Sequence, residues 1–139
     1  MNKADRADSL SSPDIGATSA SVSVVVPTYN EAANLPELAR RLFRLGYPDL
    51  TLVIVDDSSP DGTVDVALRL SEEYHGSVQV IKRPRKEGLG TAYPAGFARA
   101  LENRADYIVQ MSADRSNAPE EVPSMARLTE HADVVIGSR

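Results

Sequence analysis

Residues 51–62 read TLVIVDDSSPDG, and this stretch decides the fold class. Its first half is a short apolar run that offers hydrophobic side chains to both faces of a strand. That pattern is typical of a parallel strand covered by helices on both sides. Its second half is a polar turn with two adjacent carboxylates, Asp56 and Asp57. A buried strand followed by a polar turn predicts a strand-to-helix unit at this point of the chain.

The same alternation extends in both directions. Strands are predicted at residues 21–27, 51–56, 77–82, 106–111 and 132–136, and helices at residues 31–46, 62–75, 91–103 and 119–131. Strict alternation with right-handed crossovers predicts an open, doubly wound, mostly parallel α/β sheet. Residues 1–20 are rich in Ser, Ala and Asp without apolar periodicity. We therefore expect a disordered N-terminal tail at 1–20 and one domain at 21–139.

Composition restricts the classes of function. The 139-residue chain has no Cys and only two His, so cysteine zinc sites, thiol catalysis and a His-rich metal site are not expected. A formal net charge of -5 argues against a broad basic surface for nucleic acid. No apolar run approaches the roughly 20 residues of a membrane-spanning helix, and the polar N-terminus does not resemble a signal peptide. We expect a cytoplasmic protein, peripheral to the membrane if it meets a lipid.

Polar segments follow all the predicted strands. They are residues 27–31 (PTYNE), 56–62 (DDSSPDG), 82–90 (KRPRKEGLG), 112–116 (SADRS) and 137–139 (GSR). Because the carboxyl ends of parallel strands meet at one edge of a sheet, these segments bring carboxylates, an aromatic ring and cations around one crevice. That mixture suits a nucleotide bound with a metal ion, with the ring at the base and the cations at the phosphates.

Each segment taken alone has a simpler structural explanation. Asp56 and Asp57 also suit a turn or the cap of the next helix, and Asp114 suits the cap of a turn. Tyr29 also suits a packed aromatic side chain, and the basic run at 82–86 suits a solvated loop. The shared edge of the sheet, rather than any single residue, favours a functional site.

Five segments in this order resemble one family. They read VVVPTYNEAANLPEL, VDDSSPDGT, KEGLGTAYPAG, QMSADRSNAPEEVP and DVVIGSR. Their order and spacing over residues 21–139 resemble family-2 glycosyltransferases of the Rossmann-like GT-A fold, and more narrowly dolichyl- or polyprenyl-phosphate mannosyltransferases. The resemblance implies transfer of mannose from GDP-mannose to a polyprenyl (dolichyl) phosphate at the membrane surface. It also implies inversion at the sugar and assistance by Mg²⁺ or Mn²⁺.

The resemblance further implies a set of site residues. Those expected to bind the nucleotide sugar are Pro27, Tyr29, Glu31, Val55, Asp57, Ser112, Ala113, Asp114 and Arg139. Asp114 is implied as the catalytic residue and as a metal ligand, with Ser112 and Ser116 as further oxygen donors to the metal.

The sequence departs from the family pattern in three respects, one of which is Arg115 at a position that the family usually gives to an apolar residue. The acidic triplet Asp-Ala-Asp is Ser112-Ala113-Asp114 here, and Mg²⁺ and Mn²⁺ prefer anionic oxygen, so weakened metal binding is expected. The resemblance stops after the fifth predicted strand, so we expect the acceptor-side part, and any membrane-anchoring segment, to lie outside this chain. The alternative is therefore a truncated or degenerate nucleotide-sugar-binding module with little or no transfer activity.

A third class, a phosphoacceptor receiver domain, fits poorly. That fold requires its acidic pair after the first strand and a Lys after the fifth. Here Asp56 and Asp57 follow the second strand, and Arg139 follows the fifth.

Overall fold

The computed structural model describes residues 20–114 and 116–128. Strands and helices alternate along this part of the chain, as predicted. They are β1 (Ser21–Thr28), α1 (Leu35–Phe43), β2 (Asp49–Asp56), α2 (Thr63–Glu73), β3 (Val78–Lys82), α3 (Leu89–Glu102), β4 (Tyr107–Gln110), a 3-10 turn (Pro119–Glu121) and α4 (Val122–Leu128). The predicted fifth strand at 132–136, the end of the fourth predicted helix, Arg139 and residues 1–19 of the predicted tail lie outside the described residues.

The strands β1 to β4 form one parallel sheet in the order β3-β2-β1-β4. Thr28 of β1 pairs with Asp56 of β2, and Asp56 pairs with Lys82 of β3. The carboxyl ends of these three strands are therefore aligned. The loops that follow them share one edge of the sheet, which is the arrangement that the sequence predicts.

Helices cover both faces of the sheet. On one face, side chains of α1 and α2 join a large apolar cluster with alternate strand residues such as Val24 and Leu52. On the other face, α3 packs against the intervening residues, including Val25 and Val53. Burial on both faces is the physical reason that the central strands β1 and β2 are largely apolar on both sides. The predicted doubly wound α/β fold is confirmed.

The close approach of α3 to the sheet depends on Gly96. A Cβ atom at this position would lie 2.1 Å from Cγ1 of Val25, far inside van der Waals contact. Ala92, Gly96 and Ala100 form the buried face of α3. This small-residue face fixes the distance between the helix and β1, and with it the position of the loop that precedes the helix.

The start of α3 corrects one expectation. The predicted helix at 91–103 places Pro94 in the first turn, where its missing N–H has no helical partner. The observed helix begins at Leu89, so Pro94 is the sixth residue and lies inside the helix. The helix therefore lacks one internal hydrogen bond at this position.

The first and fourth predicted helices begin later than expected. The N–H groups of Asn34 and Leu35 donate to the carbonyl of Glu31 at 3.0 and 3.2 Å, closing a turn before α1 begins. Glu31 therefore stays in the loop after β1. The segment predicted as a helix from residue 119 opens as a 3-10 turn, in which the N–H of Val122 donates to the carbonyl of Pro119. Pro123 has no N–H to donate to that carbonyl in the α-helical pattern.

Candidate functional site

The loop after β1, which carries Tyr29 and Glu31, is held by the loop after β2. Three of its backbone N–H groups donate to side chains of that neighbouring loop: Asn30 to Ser59, Glu31 to Thr63 and Ala32 to Asp61, at 2.9 to 3.1 Å. The sequence suggested only local turn chemistry for the segment around Asp61. The structure shows that this segment also fixes the backbone on both sides of Glu31.

Asp56 shapes the turn after β2 and is completely buried. Its Oδ1 accepts hydrogen bonds from the hydroxyls of Thr28 at 2.7 Å and Ser59 at 2.6 Å, and its Oδ2 accepts the Ser59 N–H at 2.9 Å. The N-cap of α2 is Gly62, so Asp56 caps no helix. Of the two simple explanations for this residue, the structure supports the turn.

Asp57 forms a buried ion pair with Arg83 of the loop after β3. Nε and Nη2 of Arg83 donate to the two carboxylate oxygens at 2.6 and 2.9 Å. The N–H groups of Glu87 and Gly88 also donate to Oδ2, both at 3.1 Å. Only 7% of the Asp57 side chain and 9% of the Arg83 side chain are exposed. The basic run at 82–86 is therefore not a fully solvated loop, and that expectation is wrong for Arg83.

This carboxylate is stabilised in its charged form. Burial raises the pKa of Asp57, but the Arg83 guanidinium and the N–H groups of Gly88 and Glu87 outweigh burial and hold the pKa below its ordinary value. Oδ2 accepts three of these hydrogen bonds, whereas Oδ1 accepts only the one from Arg83 Nε. A direct contact of Asp57 with a base stays a prediction, and Oδ1 is the oxygen with acceptor capacity left for it.

Arg83 also reaches the beginning of α3. Its Nη2 donates to the carbonyl of Gly88 at 3.0 Å, and its Nη1 donates to the hydroxyl of Thr91 at 2.5 Å. Gly88, with φ +88° and ψ 172°, adopts a backbone conformation that L side chains rarely reach. The pair of Asp57 and Arg83 therefore pins both ends of the segment 84–88 to the sheet edge.

Lys86, in the middle of that pinned segment, lies over Tyr29. Its Nζ is 4.3 Å from the centre of the Tyr29 ring. Tyr29 is 38% exposed, so it is not the packed core aromatic that the simpler explanation predicts. The contact joins the loop after β3 to the loop after β1 at the carboxyl edge of the sheet.

The loop after β4 holds the predicted metal ligands. The N–H and the hydroxyl of Ser116 both donate to Oδ1 of Asp114, and the N–H of Ser112 donates to Asn117 at 2.8 Å. Asp114 is exposed, whereas Ala113 is buried in the core. The contact with Ser116 is the turn-capping contact that the simpler explanation predicts, and metal binding by Asp114 stays a prediction.

Tyr93 of α3 is a neighbour of these ligands that the sequence analysis did not single out. Burial raises the pKa of its hydroxyl, a hydrogen bond with Ser112 lowers it, and the charge of Asp114 raises it, with a net increase. Tyr93 therefore links α3 to the loop after β4. The signal was present in the sequence, because Tyr93 belongs to the quoted segment KEGLGTAYPAG.

The donor set at this loop suits a shared metal ion. Within residues 20–114 and 116–128, no three His, Cys, Asp or Glu side chains could together hold a metal. The oxygen donors of the predicted set are the Asp114 carboxylate and the hydroxyls of Ser112 and Ser116. Mg²⁺ is commonly bound through one or two carboxylates, with substrate phosphates and water completing its shell. These residues fit an ion held jointly with the diphosphate of a nucleotide.

The remaining predicted site residues differ in how exposed they are. Pro27 and Glu31 are half-buried on the loop side of β1. Val55 has no exposed surface and packs under α3, so the structure does not bring its side chain to the crevice. Arg139 lies outside the described residues.

Comparison with known proteins identifies the family. The model of glycosyl transferase family 2 matches residues 23–139. The chain belongs to glycosyl transferase family 2. Undecaprenyl-phosphate mannosyltransferase of Micrococcus luteus is 46% identical to this family-2 chain over 119 residues, covering 85% of the chain and 48% of that protein. Polyprenol monophosphomannose synthase of Mycolicibacterium smegmatis is 42% identical over 117 residues, covering 84% of the chain and 44% of that protein.

A solved family relative shares the fold. The mannosyltransferase of Pyrobaculum calidifontis in complex with GDP-Man and Mn²⁺ superposes with a TM-score of 0.71 at 25% identity, covering 83% of this chain and 34% of that one. The predicted family and the GT-A fold are confirmed. This family-2 chain spans less than half the length of the two curated relatives. None of the helices in the described part of the chain has the length and apolar character needed to cross a bilayer.

Proposed function

We propose that this chain is the donor-binding part of an enzyme that transfers mannose from GDP-mannose to a polyprenyl phosphate. The observation that carries the proposal is the similarity, at 46% and 42% identity, to two enzymes named for mannosylated polyprenyl phosphates. The choice of donor is supported by the solved relative that holds GDP-Man and Mn²⁺.

In this proposal the nucleotide sugar lies along the carboxyl edge of the sheet. Pro27 at the end of β1 and Tyr29 and Glu31 in the following loop border the nucleoside. The loop after β2 and Thr63 at the start of α2 hold this following loop in place. Asp57 supports this region through Arg83. Asp114 and Ser112 lie by the diphosphate, at the end of β4. Arg139, which lies outside the described residues, is included as a donor-binding residue because the family resemblance implies it.

The proposed reaction depends more on the placement of donor and acceptor than on proton transfer. An oxygen of the acceptor phosphate forms a bond to the anomeric carbon while the bond from that carbon to the diphosphate breaks. The electron pair leaves with GDP, and the configuration inverts. A phosphate is already an anion near neutral pH, so no strong general base is required. Holding donor and acceptor in line is the main contribution that protein side chains make.

Asp114 is the residue proposed to hold Mg²⁺ or Mn²⁺, with Ser112 and Ser116 as neutral oxygen donors beside it. When bound, such an ion neutralises the charge that builds on the departing diphosphate. Because Ser112 replaces a carboxylate in the family triplet, the proposal includes metal binding that is weaker than two carboxylates would provide.

The second candidate is a module that binds the nucleotide sugar without transferring it. It is favoured by one observation, the single carboxylate at the β4 loop where the family pattern has two. Calorimetric titration of GDP-mannose, with Mn²⁺ and then with EDTA, tests donor binding. Mannosyl transfer to a polyprenyl phosphate in the same preparation separates the candidates. Transfer supports the enzyme, binding without transfer supports the module, and a folded chain that binds in neither condition contradicts both.

Ser112→Asp tests the metal assignment directly. The added carboxylate should tighten Mn²⁺-dependent binding of GDP-mannose about tenfold, a gain of roughly 1.4 kcal/mol, while leaving the affinity in EDTA no stronger. Ser124→Asp adds the same charge on the exposed surface of α4 and is the matched control. Equal effects of the two substitutions on Mn²⁺-dependent binding would contradict the assignment of Asp114 and its neighbours as the metal site.

A further inference from the structure

We propose that Lys86 is a donor-binding residue whose ammonium contacts the anionic diphosphate of the bound nucleotide sugar. This inference rests on the proposed function and adds a residue outside the set that the family resemblance implies. It also assigns a ligand-binding role to the basic loop after β3, whose other described contacts are structural.

The first argument is the position of the ammonium. Lys86 Nζ lies 4.3 Å from the centre of the Tyr29 ring, across the gap between the loops after β3 and β1. Tyr29 borders the nucleoside in the proposed function. Because the ammonium covers one face of that ring, a nucleotide that lies beside Tyr29 also meets the charge of Lys86.

The second argument is that none of the carboxylates in residues 20–114 and 116–128 forms an ion pair with this ammonium. In the described residues the ion pairs join Arg40 to Glu37, Arg41 to Glu120, Arg83 to Asp57 and Arg99 to Glu102. Lys86 is in none of them and is exposed. An aromatic ring attracts a cation without cancelling its charge. The ammonium is therefore available to an anionic ligand at the mouth of the crevice.

The third argument is that the loop is held in place before any ligand arrives. Arg83 is bonded to Asp57 on one side of Lys86, and the N–H groups of Glu87 and Gly88 are bonded to the same carboxylate on the other side. The backbone of Lys86 is thus anchored within a few residues in both directions. Pre-organisation of this kind reduces the entropy lost when a ligand binds.

The neighbouring Arg85 supplies a matched control within the same loop. It carries the same charge and is also exposed, but in the described part of the chain it contacts neither an aromatic ring nor a carboxylate. A general effect of positive charge near the crevice would involve both residues. A specific contact would involve Lys86 alone.

The experiment compares Lys86→Met, Lys86→Arg and Arg85→Met with the unsubstituted chain by calorimetric titration of GDP-mannose, GDP and guanosine. Lys86→Met should weaken the binding of GDP and of GDP-mannose about tenfold. It should leave the affinity for guanosine unchanged, because guanosine has no phosphate. Lys86→Arg should recover most of the loss. Arg85→Met should stay within about twofold, and added salt should weaken GDP binding less in Lys86→Met than in the unsubstituted chain.

Equal losses in Lys86→Met and Arg85→Met overturn the inference, and so does an equal loss for GDP and guanosine, which would indicate disturbance of Tyr29 instead. Both results leave the proposed function intact, because the unsubstituted chain still binds its donor. If the folded, unsubstituted chain binds none of the three ligands, the proposed function fails and this inference fails with it.

Discussion

Replacing Arg83 by Met should destabilise the fold more than any surface substitution, because it leaves the Asp57 carboxylate buried without its cation. Arg83→Met keeps a long apolar stem and removes the two charged hydrogen bonds at 2.6 and 2.9 Å. It also removes the bonds to Gly88 and Thr91 that anchor the start of α3.

The magnitude follows from burial. Breaking a buried pair by removing one partner costs about 3–5 kcal/mol. Asp57 keeps the N–H groups of Glu87 and Gly88, which partly solvate its charge. We therefore expect a loss at the lower end, about 3 kcal/mol, out of a total stability of about 5–15 kcal/mol for a domain.

The assay is equilibrium unfolding in urea, followed by circular dichroism at several pH values between 7 and 3. In the unsubstituted chain the pKa of Asp57 is lowered by folding, so its contribution is present above about pH 4 and is lost as the pH falls through the lower folded value. Without Arg83, the increase in pKa caused by burial is less opposed. The stability difference between the two proteins should therefore shrink as the pH falls.

Two controls complete the test. Arg83→Lys keeps the charge but loses the paired geometry and should give an intermediate loss. Asp57→Asn combined with Arg83→Met removes both charges, and the double variant should be more stable than the sum of the two single losses predicts. A loss below about 1 kcal/mol for Arg83→Met, the range of an exposed pair, would refute the argument. So would a loss that is independent of pH.

Three further substitutions test the packing and the turn. Gly96→Ala should cost about 1–3 kcal/mol, because its Cβ would lie 2.1 Å from Val25 Cγ1. Gly90→Ala, with nothing within 4 Å, should be neutral or stabilising by up to about 1 kcal/mol. Thermal or urea unfolding measures both, and equal effects would contradict the close packing. Thr28→Val removes a donor to buried Asp56 and should cost about 1–3 kcal/mol in the same assay. A change within about 0.5 kcal/mol would show that this bond is dispensable.

The fold could be predicted because its signal is local. Runs such as LVIV at 52–55 are apolar on both faces wherever they are buried between helices, and the small residues Ala92, Gly96 and Ala100 recur at helical spacing. The errors were at the ends of elements. The start of α3 at Leu89 follows Gly88, whose φ is +88°, and the 3-10 turn at Pro119–Glu121 precedes Pro123, which has no N–H to donate. Periodicity does not report those features.

The candidate site could be predicted only as a set of residues at one edge. A carboxylate after a buried strand gives the same sequence pattern whether it binds a ligand, stabilises a turn or pairs with an arginine. Asp56 and Asp57 are adjacent, yet the first is buried in its own turn and the second binds Arg83, 26 positions away. Such pairings depend on which loops become neighbours, and the register of the sheet decides that.

The sequence by itself determined the α/β alternation, the family and the sheet edge that carries the candidate site residues, because each of these is encoded in short segments and their order. Tertiary structure alone decided that the Asp57–Arg83 ion pair holds the loop after β3 and that Lys86 lies over Tyr29. It also decided that the missing side chain of Gly96 leaves room for Val25. Each of these contacts joins residues that are far apart in the chain. Its energy depends on distance and burial, which exist only once the sheet has assembled.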